Sequence, residues 1–355
     1  METIVREIVS QKDWDAFVGS QSFHSFLHAW AWGNFSVAMG NEVVRLGAYE
    51  GERLVAVALL IFVRARRGNF ISVPHGPVFQ DGSVVPERER LVAAFTKEAK
   101  RRSASFGARF IRVNPFIQRT PEHAQLFSHL GYRRAPLYTS AENTWILEID
   151  KSEEDLLVGM RKNTRNLVRR AAREGVEVIA STSTDFIEAF CEVYEETVQK
   201  HDFVPFSKKY LTEEVRAFNG VGQPRLVSGE GTEARIYLAK WSGKVLSAAI
   251  VIFYGNSAYY HHGANSLEHR KVPAAYALQW QAIRDAKAHG KKLYNFWGIA
   301  EDEENSNHPW HGLTFFKQGF GGHRVNLTHT HDLPLTSTYW LSYLADKWTA
   351  WRRGV

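Results

Sequence analysis

The sequence predicts an α/β protein of the α+β type, in which one unit with a mixed sheet is written twice. Three observations predict it. The chain has 355 residues, 44% hydrophobic and 23% charged, a globular composition over a length suited to about two domains. Four segments recur in the same order in its two halves. Within each half, strand-like apolar runs alternate with helical stretches that end in glycine. The same composition excludes disordered and collagen-like chains, and mean hydropathy is −0.31. No apolar run approaches the ~18–20 residues of a spanning helix. The start, Met1-Glu2-Thr3-Ile4, lacks a signal-peptide plan. One cysteine, Cys191, excludes an internal disulfide framework and a thiolate-rich zinc site. A cytoplasmic protein is expected.

The repeated elements follow in chain order. Residues 47–62 read as a hairpin turning at Gly51, and residues 238–253 repeat it with Gly243, an offset of 192. Pro74-His75-Gly76 answers His261-His262-Gly263 at an offset of 187. A basic helix ending at Gly107 and running into a strand at 110–115 answers the helix ending at Gly290 and the strand at 293–298, offset 183. Residues 126–132 around Gly131 answer 314–320 around Gly319, offset 188. Any single match is commonplace; four in order imply a tandem duplication. Residues 56–62 and 248–253 are continuous apolar runs, as in strands buried on both faces. A strand at 144–149 begins the second unit. The expected domains are therefore 1–145 plus 323–355, and 146–322, with a terminal helix over 336–351 returning to the first.

The formal charge of +6 is mild overall but concentrated in one place. Residues 161–173 contain Arg161, Lys162, Arg165, Arg169, Arg170 and Arg173 and no acid. Ser152 with Asp155 resembles a capping box and Gly175 a C-terminal stop, which predicts a helix between them. On a wheel of ~100° per residue, Leu156, Leu157, Met160, Thr164, Leu167, Val168 and Ala171 share one side. Lys162, Arg165, Arg169 and Arg173 lie opposite. Such a stripe is either a solvated face or a phosphate-binding one, for which the arginine fork is suited. Two smaller clusters, Arg64, Arg66, Arg67 and Lys97, Lys100, Arg101, Arg102, read as surface charge.

Fifteen histidines raise the question of a metal. His329 with His331 and the pair His261-His262 have the best local spacings, but no HExxH or Cys/His framework accompanies them, and no metal is expected. Cys191 lies in an amphipathic stretch and reads as core. Phosphate-loop, dinucleotide and nucleophile-elbow motifs are missing. The most unusual segment is residues 315–322, where Lys317 stands among aromatics and precedes Gly319, Gly321 and Gly322. This lysine is either a positioned cation that stabilises an oxyanion or the end of a packed helix whose lysine reaches out to solvent.

Several of these segments resemble FemABX-type aminoacyl-tRNA-dependent peptidyltransferases. Residues 160–165 leading to 171–178 resemble the opening of that family's second domain. Residues 259–266, 278–280, 294–298 and 316–322 resemble its later motifs, and 26–33 its N-terminal signature. The resemblance implies two tandem GNAT-like (acyl-CoA N-acyltransferase-like) domains. It implies transfer of an amino acid from aminoacyl-tRNA to an amine of a muramyl peptide, UDP-linked or lipid-linked, or of another amine-bearing peptide. The alternative is a tandem-GNAT acyltransferase using acyl-CoA. No cofactor, metal, DNA partner or membrane span is implied, only peripheral membrane contact if the acceptor is lipid-linked. By resemblance, Lys317 stabilises the oxyanion or leaving oxygen and the Phe316 backbone orients the amine. Trp30, Asn114, Tyr210, Tyr260, His262 and Gly319 bind substrate, and Lys162, Arg165, Arg169 and Arg173 contact tRNA. The long helical arm of some members is expected to be missing between Thr197 and Ile236. Three positions depart from the family pattern: Ser36 stands where a lysine contacts the acceptor diphosphate, Phe206 near an expected arginine, and Asn114 in place of an aspartate. Asparagine cannot act as a base.

Overall fold

The structure, a computed structural model, describes residues 3–201, 205–220 and 231–353. In chain order the elements begin with β1 (Thr3–Glu7), α1 (Gln11–Ser20), α2 (Trp30–Ala38), β2 (Glu42–Glu50), β3 (Arg53–Val63), β4 (Phe70–Pro74), β5 (Val78–Phe79), α3 (Val85–Phe106), β6 (Phe110–Asn114), α4 (Pro121–Ser128) and β7 (Arg133–Arg134). Next come β8 (Asn143–Glu148), α5 (Glu153–Gly159), α6 (Lys162–Arg173), β9 (Glu177–Ser181), α7 (Ile187–His201), α8 (Lys208–Phe218), β10 (Glu233–Trp241), β11 (Lys244–Tyr254) and β12 (Ser257–Asn265). The chain closes with α9 (Ala274–Ala288), β13 (Leu293–Gly298), α10 (His311–Gln318), β14 (His323–Asn326), β15 (His331–Pro334) and α11 (Tyr339–Arg353). Two compact units result: Met1–Glu142 with Asn326–Val355, and Asn143–Val325.

Each unit holds one mixed sheet, and the strand orders match position by position. The first runs β1-β2-β3-β4-β6-β15-β7, with β5 paired to β3; the second, read in the same direction, runs β9-β10-β11-β12-β13-β8-β14. Each has a parallel pair at the same place, β4 with β6 and β12 with β13. A helix makes each crossover, α3 in one unit and α9 in the other, as a parallel connection requires. The sixth position distinguishes them. In the second unit it is filled by β8, from before the hairpin; in the first by β15, from the end of the chain. The hairpins repeat in detail, each with a register shift, at Ala48/Tyr49 and at Ala239/Lys240. Gly51 (φ 62°) and Gly243 (φ 81°) supply the left-handed turn residues that tight hairpins need.

Strands β3 and β11 are buried along almost their whole length, which explains their uninterrupted apolar runs. In the first unit they join Leu91, Val92, Phe95 and Ala99 of α3. In the second they join Leu278, Ala282, Ile283 and Ala286 of α9. The terminal helix α11 packs on the first unit through a buried ion pair: Arg112 on β6 donates to both oxygens of Asp332 at 2.7 and 2.8 Å, and to Asp346 of α11 at 2.9 Å.

The stretch 152–175 differs from the single expected helix. Ser152 caps α5, with Asp155 N–H donating to its hydroxyl at 3.0 Å. The chain then turns extended at Met160 (ψ 147°) and Arg161 (ψ 138°) before α6 begins. Met160 is buried in the core, and the Arg161 N–H donates to Gly319 O at 2.9 Å. Both contacts are tertiary and leave no trace in helical periodicity. Between Thr197 and Ile236, α7 ends, α8 follows and β10 begins; for the rest of the expected armless segment, residues 202–204 and 221–230 lie outside the described residues.

Candidate active site

The second unit gathers most of the expected site residues. Lys317 lies near the end of α10 and is 3% exposed, so it does not reach out to solvent. Its ammonium donates to Gly298 O at 2.5 Å and lies 5.9 Å from the Tyr260 ring centre. Burial pushes its pKa down to about 7, because no carboxylate pairs with it among the described residues to hold the charge. The carbonyl it meets is presented by an irregularity: the β13–β8 register shifts between Asn295 and Gly298, and Trp297 adopts φ 65°. Asn295 Oδ1 holds this bend by accepting from Trp297 N–H at 2.8 Å and from the Thr144 hydroxyl at 2.5 Å.

Behind Lys317 the chain is packed too tightly for side chains. A Cβ on Gly319 would stand 2.2 Å from the Thr164 hydroxyl of α6, and one on Gly322 (φ 92°) would stand 2.3 Å from Ile146 O. The close approach at Gly319 brings the basic helix α6 against the lysine-bearing helix. Phe316 packs edge-on to Tyr276 at 5.0 Å, and its carbonyl accepts the Gly319 N–H at 3.1 Å, so this backbone is engaged in ending α10.

Beyond Tyr260 lies a second cluster. The β11–β12 register shifts so that Val251 faces Tyr260 and Ile250 faces His262, leaving His261 as the extra residue of a bulge. Consecutive histidines, which regular alternation would send to opposite faces, therefore both meet Glu214 of α8. His261 Nε2 lies 3.0 Å from one carboxylate oxygen and His262 Nε2 2.7 Å from the other. Burial alone would push this carboxyl up; the two imidazoles reverse that and hold it at about 2. Tyr210, one turn before Glu214, stacks on Phe206 at 4.4 Å, and Phe206 meets His262 edge-on at 5.2 Å. Tyr260 fits because residue 263 is glycine: a Cβ there would fall 1.8 Å from its hydroxyl.

Glu214, His261 and His262 are also the one group among the described residues whose ligand atoms lie close enough for a metal ion, within 4.8 Å of one another. His262 Nε2 hydrogen-bonds one carboxylate oxygen at 2.7 Å, whereas the other oxygen, which His261 Nε2 faces, makes no hydrogen bond among the described residues. The other spacing considered for a metal is not a ligand pair. His329 precedes β15 and bonds Glu142 at 2.6 Å, while His331 bonds the carbonyl of His329.

Trp30 and Asn114 belong to the first unit. Trp30 begins α2, and the Arg45 guanidinium lies 3.7 Å over its ring. Asn114 closes β6, 1% exposed; its amide donates to the Thr330 hydroxyl at 3.0 Å, and its Oδ1 has no hydrogen-bond partner among the described residues. Ser36 donates to Trp32 O, one turn back in its own helix.

The basic stripe is divided by the structure. Lys162, Arg169 and Arg173 are exposed. Arg165 is half-buried and donates to Leu157 O and Val158 O at 3.2 and 3.1 Å, capping α5; the broken helix turned it inward. Arg170 pairs with Glu174 at 3.2 Å. In the other clusters, Arg101 and Arg102 are paired with Glu98. Sequence reasoning passed over Glu214 and Trp297 and weighed His261 only as a metal ligand. Glu214 was within reach, since it stands one helical turn from Tyr210, whereas the bulge and the bend carry no pattern.

Fold and site together define a tandem GNAT-like chain with a buried lysine at the heart of its second unit. The FemAB family matches residues 9–221 and 228–347, and the chain belongs to that family. It is 22% identical to the lipid II:glycine glycyltransferase of Staphylococcus aureus (strain MRSA252), over 88% of this chain and 89% of that protein. Its fold matches the crystal structure of FemX with a TM-score of 0.80 at 20% identity, covering 98% of this chain and all of the other. A tandem GNAT protein from the clavulanic acid biosynthesis pathway matches with a TM-score of 0.54 at 13% identity, over 94% of this chain and 98% of that one.

Proposed function

We propose that this protein is an aminoacyltransferase that moves an amino acid from aminoacyl-tRNA to an amine of a peptidoglycan precursor. The observation that carries the reading is Lys317, a buried ammonium with a pKa lowered to about 7, in a chain of the FemAB family. The amine nitrogen attacks the ester carbonyl carbon, forming the C–N bond while the carbonyl electron pair moves onto oxygen. The tetrahedral intermediate then expels the ribose oxygen, and the proton lost by the amine ends on that oxygen. The ester supplies the driving force, so alignment and charge stabilisation are the main demands on the protein. Lys317 faces the developing negative charge, and a donor poised near neutral pH suits proton delivery to the leaving oxygen.

Tyr210, Tyr260 and His262 bind the acceptor in the second unit. Lys162, Arg169 and Arg173 contact tRNA phosphates. The packing of α6 against Gly319 ties that anchor to the reacting lysine. The test mixes the purified protein with charged tRNAs and muramyl peptides, nucleotide-linked or lipid-linked, and follows products by mass spectrometry. The expected product is the acceptor plus one aminoacyl residue, abolished by ribonuclease. Strict dependence on acyl-CoA instead would overturn the reading.

A further inference from the structure

Helix α11 carries an unusual surface. One side is anchored in the first unit, with Tyr339, Ser342, Thr349 and Ala350 buried. On a wheel of about 100° per residue, Trp340, Leu341, Leu344, Trp348 and Trp351 fall together within an arc of roughly 100°. They are 46%, 65%, 62%, 54% and 77% exposed. Large apolar side chains scattered over a surface need no explanation; a continuous stripe of three tryptophans and two leucines marks a face that is covered in use.

Cations rim this stripe. Lys347 and Arg352 project at its two edges on the same wheel, both exposed. The Arg352 guanidinium lies 5.0 Å over Trp348, and Arg133 of β7 lies 4.6 Å over Trp340. Arg67, from the turn after β3, donates to Thr349 at 2.7 Å, and Arg64 and Arg66 in the same turn are exposed. The helix has a single acid, Asp346, and its carboxylate is turned inward to Arg112 and Arg67.

We propose that this face of α11 docks the protein on a bilayer containing anionic lipid. The helix is not long and apolar enough to cross a membrane, so it lies in the interface with tryptophan and leucine at the acyl boundary. Tryptophan favours that depth, and a basic rim beside an apolar face is the pattern of interfacial helices. Charge complementarity separates this occupant from a second copy of the chain, since a two-fold contact would set each cationic rim against its own duplicate. The docking does not depend on the transfer reaction. Resting on that reaction, it selects the lipid-linked acceptor.

The test is co-sedimentation of the full chain with phosphatidylcholine vesicles, with and without phosphatidylglycerol. The protein is expected to sediment with the anionic vesicles, less with the neutral ones, and less as salt is raised. The double substitution Trp348→Ala with Trp351→Ala is expected to lower the partition coefficient by about tenfold or more. Because both rings are exposed, it leaves the melting temperature and turnover of a soluble acceptor unchanged. Lys347→Glu with Arg352→Glu should remove the preference for anionic vesicles. Failure to sediment with anionic vesicles, or sedimentation indifferent to both double substitutions, overturns the proposal. So does concentration-dependent dimerisation that the tryptophan substitutions abolish without any vesicle binding, which would make a second copy the occupant.

Discussion

Lys317 illustrates how a candidate site residue can weaken the fold that holds it. Its ordinary pKa of 10.5 falls to about 7 through burial, so the unfolded chain binds a proton between those values that the folded protein does not. The stability of the protein therefore rises with pH from about 7 to 10.5, and below 7 the full penalty applies. Replacing it with methionine keeps the length and removes the charge. Lys317→Met is expected to stabilise the protein near neutral pH by about 2–4 kcal/mol, a gain that shrinks towards pH 10.5. The same variant is expected to lose about two to three orders of magnitude in kcat. Denaturant titrations across pH and turnover assays check the two halves, and a destabilised Lys317→Met would refute the assigned burial cost.

At the scale of elements, the break between α5 and α6 decides which arginines are available to a ligand. Arg165→Ala is expected to cost about 1–2 kcal/mol of stability by freeing two helix-end carbonyls. Arg169→Ala and Arg173→Ala should stay within about 0.5 kcal/mol of the wild type. On the proposed function, the order is expected to reverse in tRNA binding: each of the latter two should weaken affinity and flatten its salt dependence by about one unit of slope. Filter binding against salt, beside thermal melts, separates the groups. The basic composition of 161–173 was legible in the sequence, as was the amphipathic pattern. The turn at Met160 was not, because a buried methionine and a bond from Arg161 N–H to Gly319 O belong to a different part of the chain.

At the scale of the molecule, the first unit is completed by the end of the chain. β15 takes the sheet position that β8 takes in the second unit, and Arg112 ties it to α11. Arg112 is 4% exposed and Asp332 fully buried. Truncating one partner of such a pair strands the other charge, so Arg112→Ala is expected to cost about 3–5 kcal/mol. The loss should appear in hydrogen exchange as weakened protection of β6 and β15. Unchanged protection there would show that β15 is held by its ladder alone.

The sequence by itself determined the tandem duplication, the α/β class and the family resemblance, and it singled out the segment around Lys317 as a candidate site. These depend on local spacing, turn glycines and ordered motifs, all of which are written along one stretch of chain. Tertiary structure alone decided that Lys317 is buried, that Arg165 caps a helix and that His261 joins His262 at Glu214. It also decided which side of α11 stays exposed. Each of those depends on what lies across the fold: a bulge that changes a side chain's face, or a neighbour that removes water from a charge. Periodicity reports a residue's position on its own element, whereas burial and pairing are set by the elements packed against it.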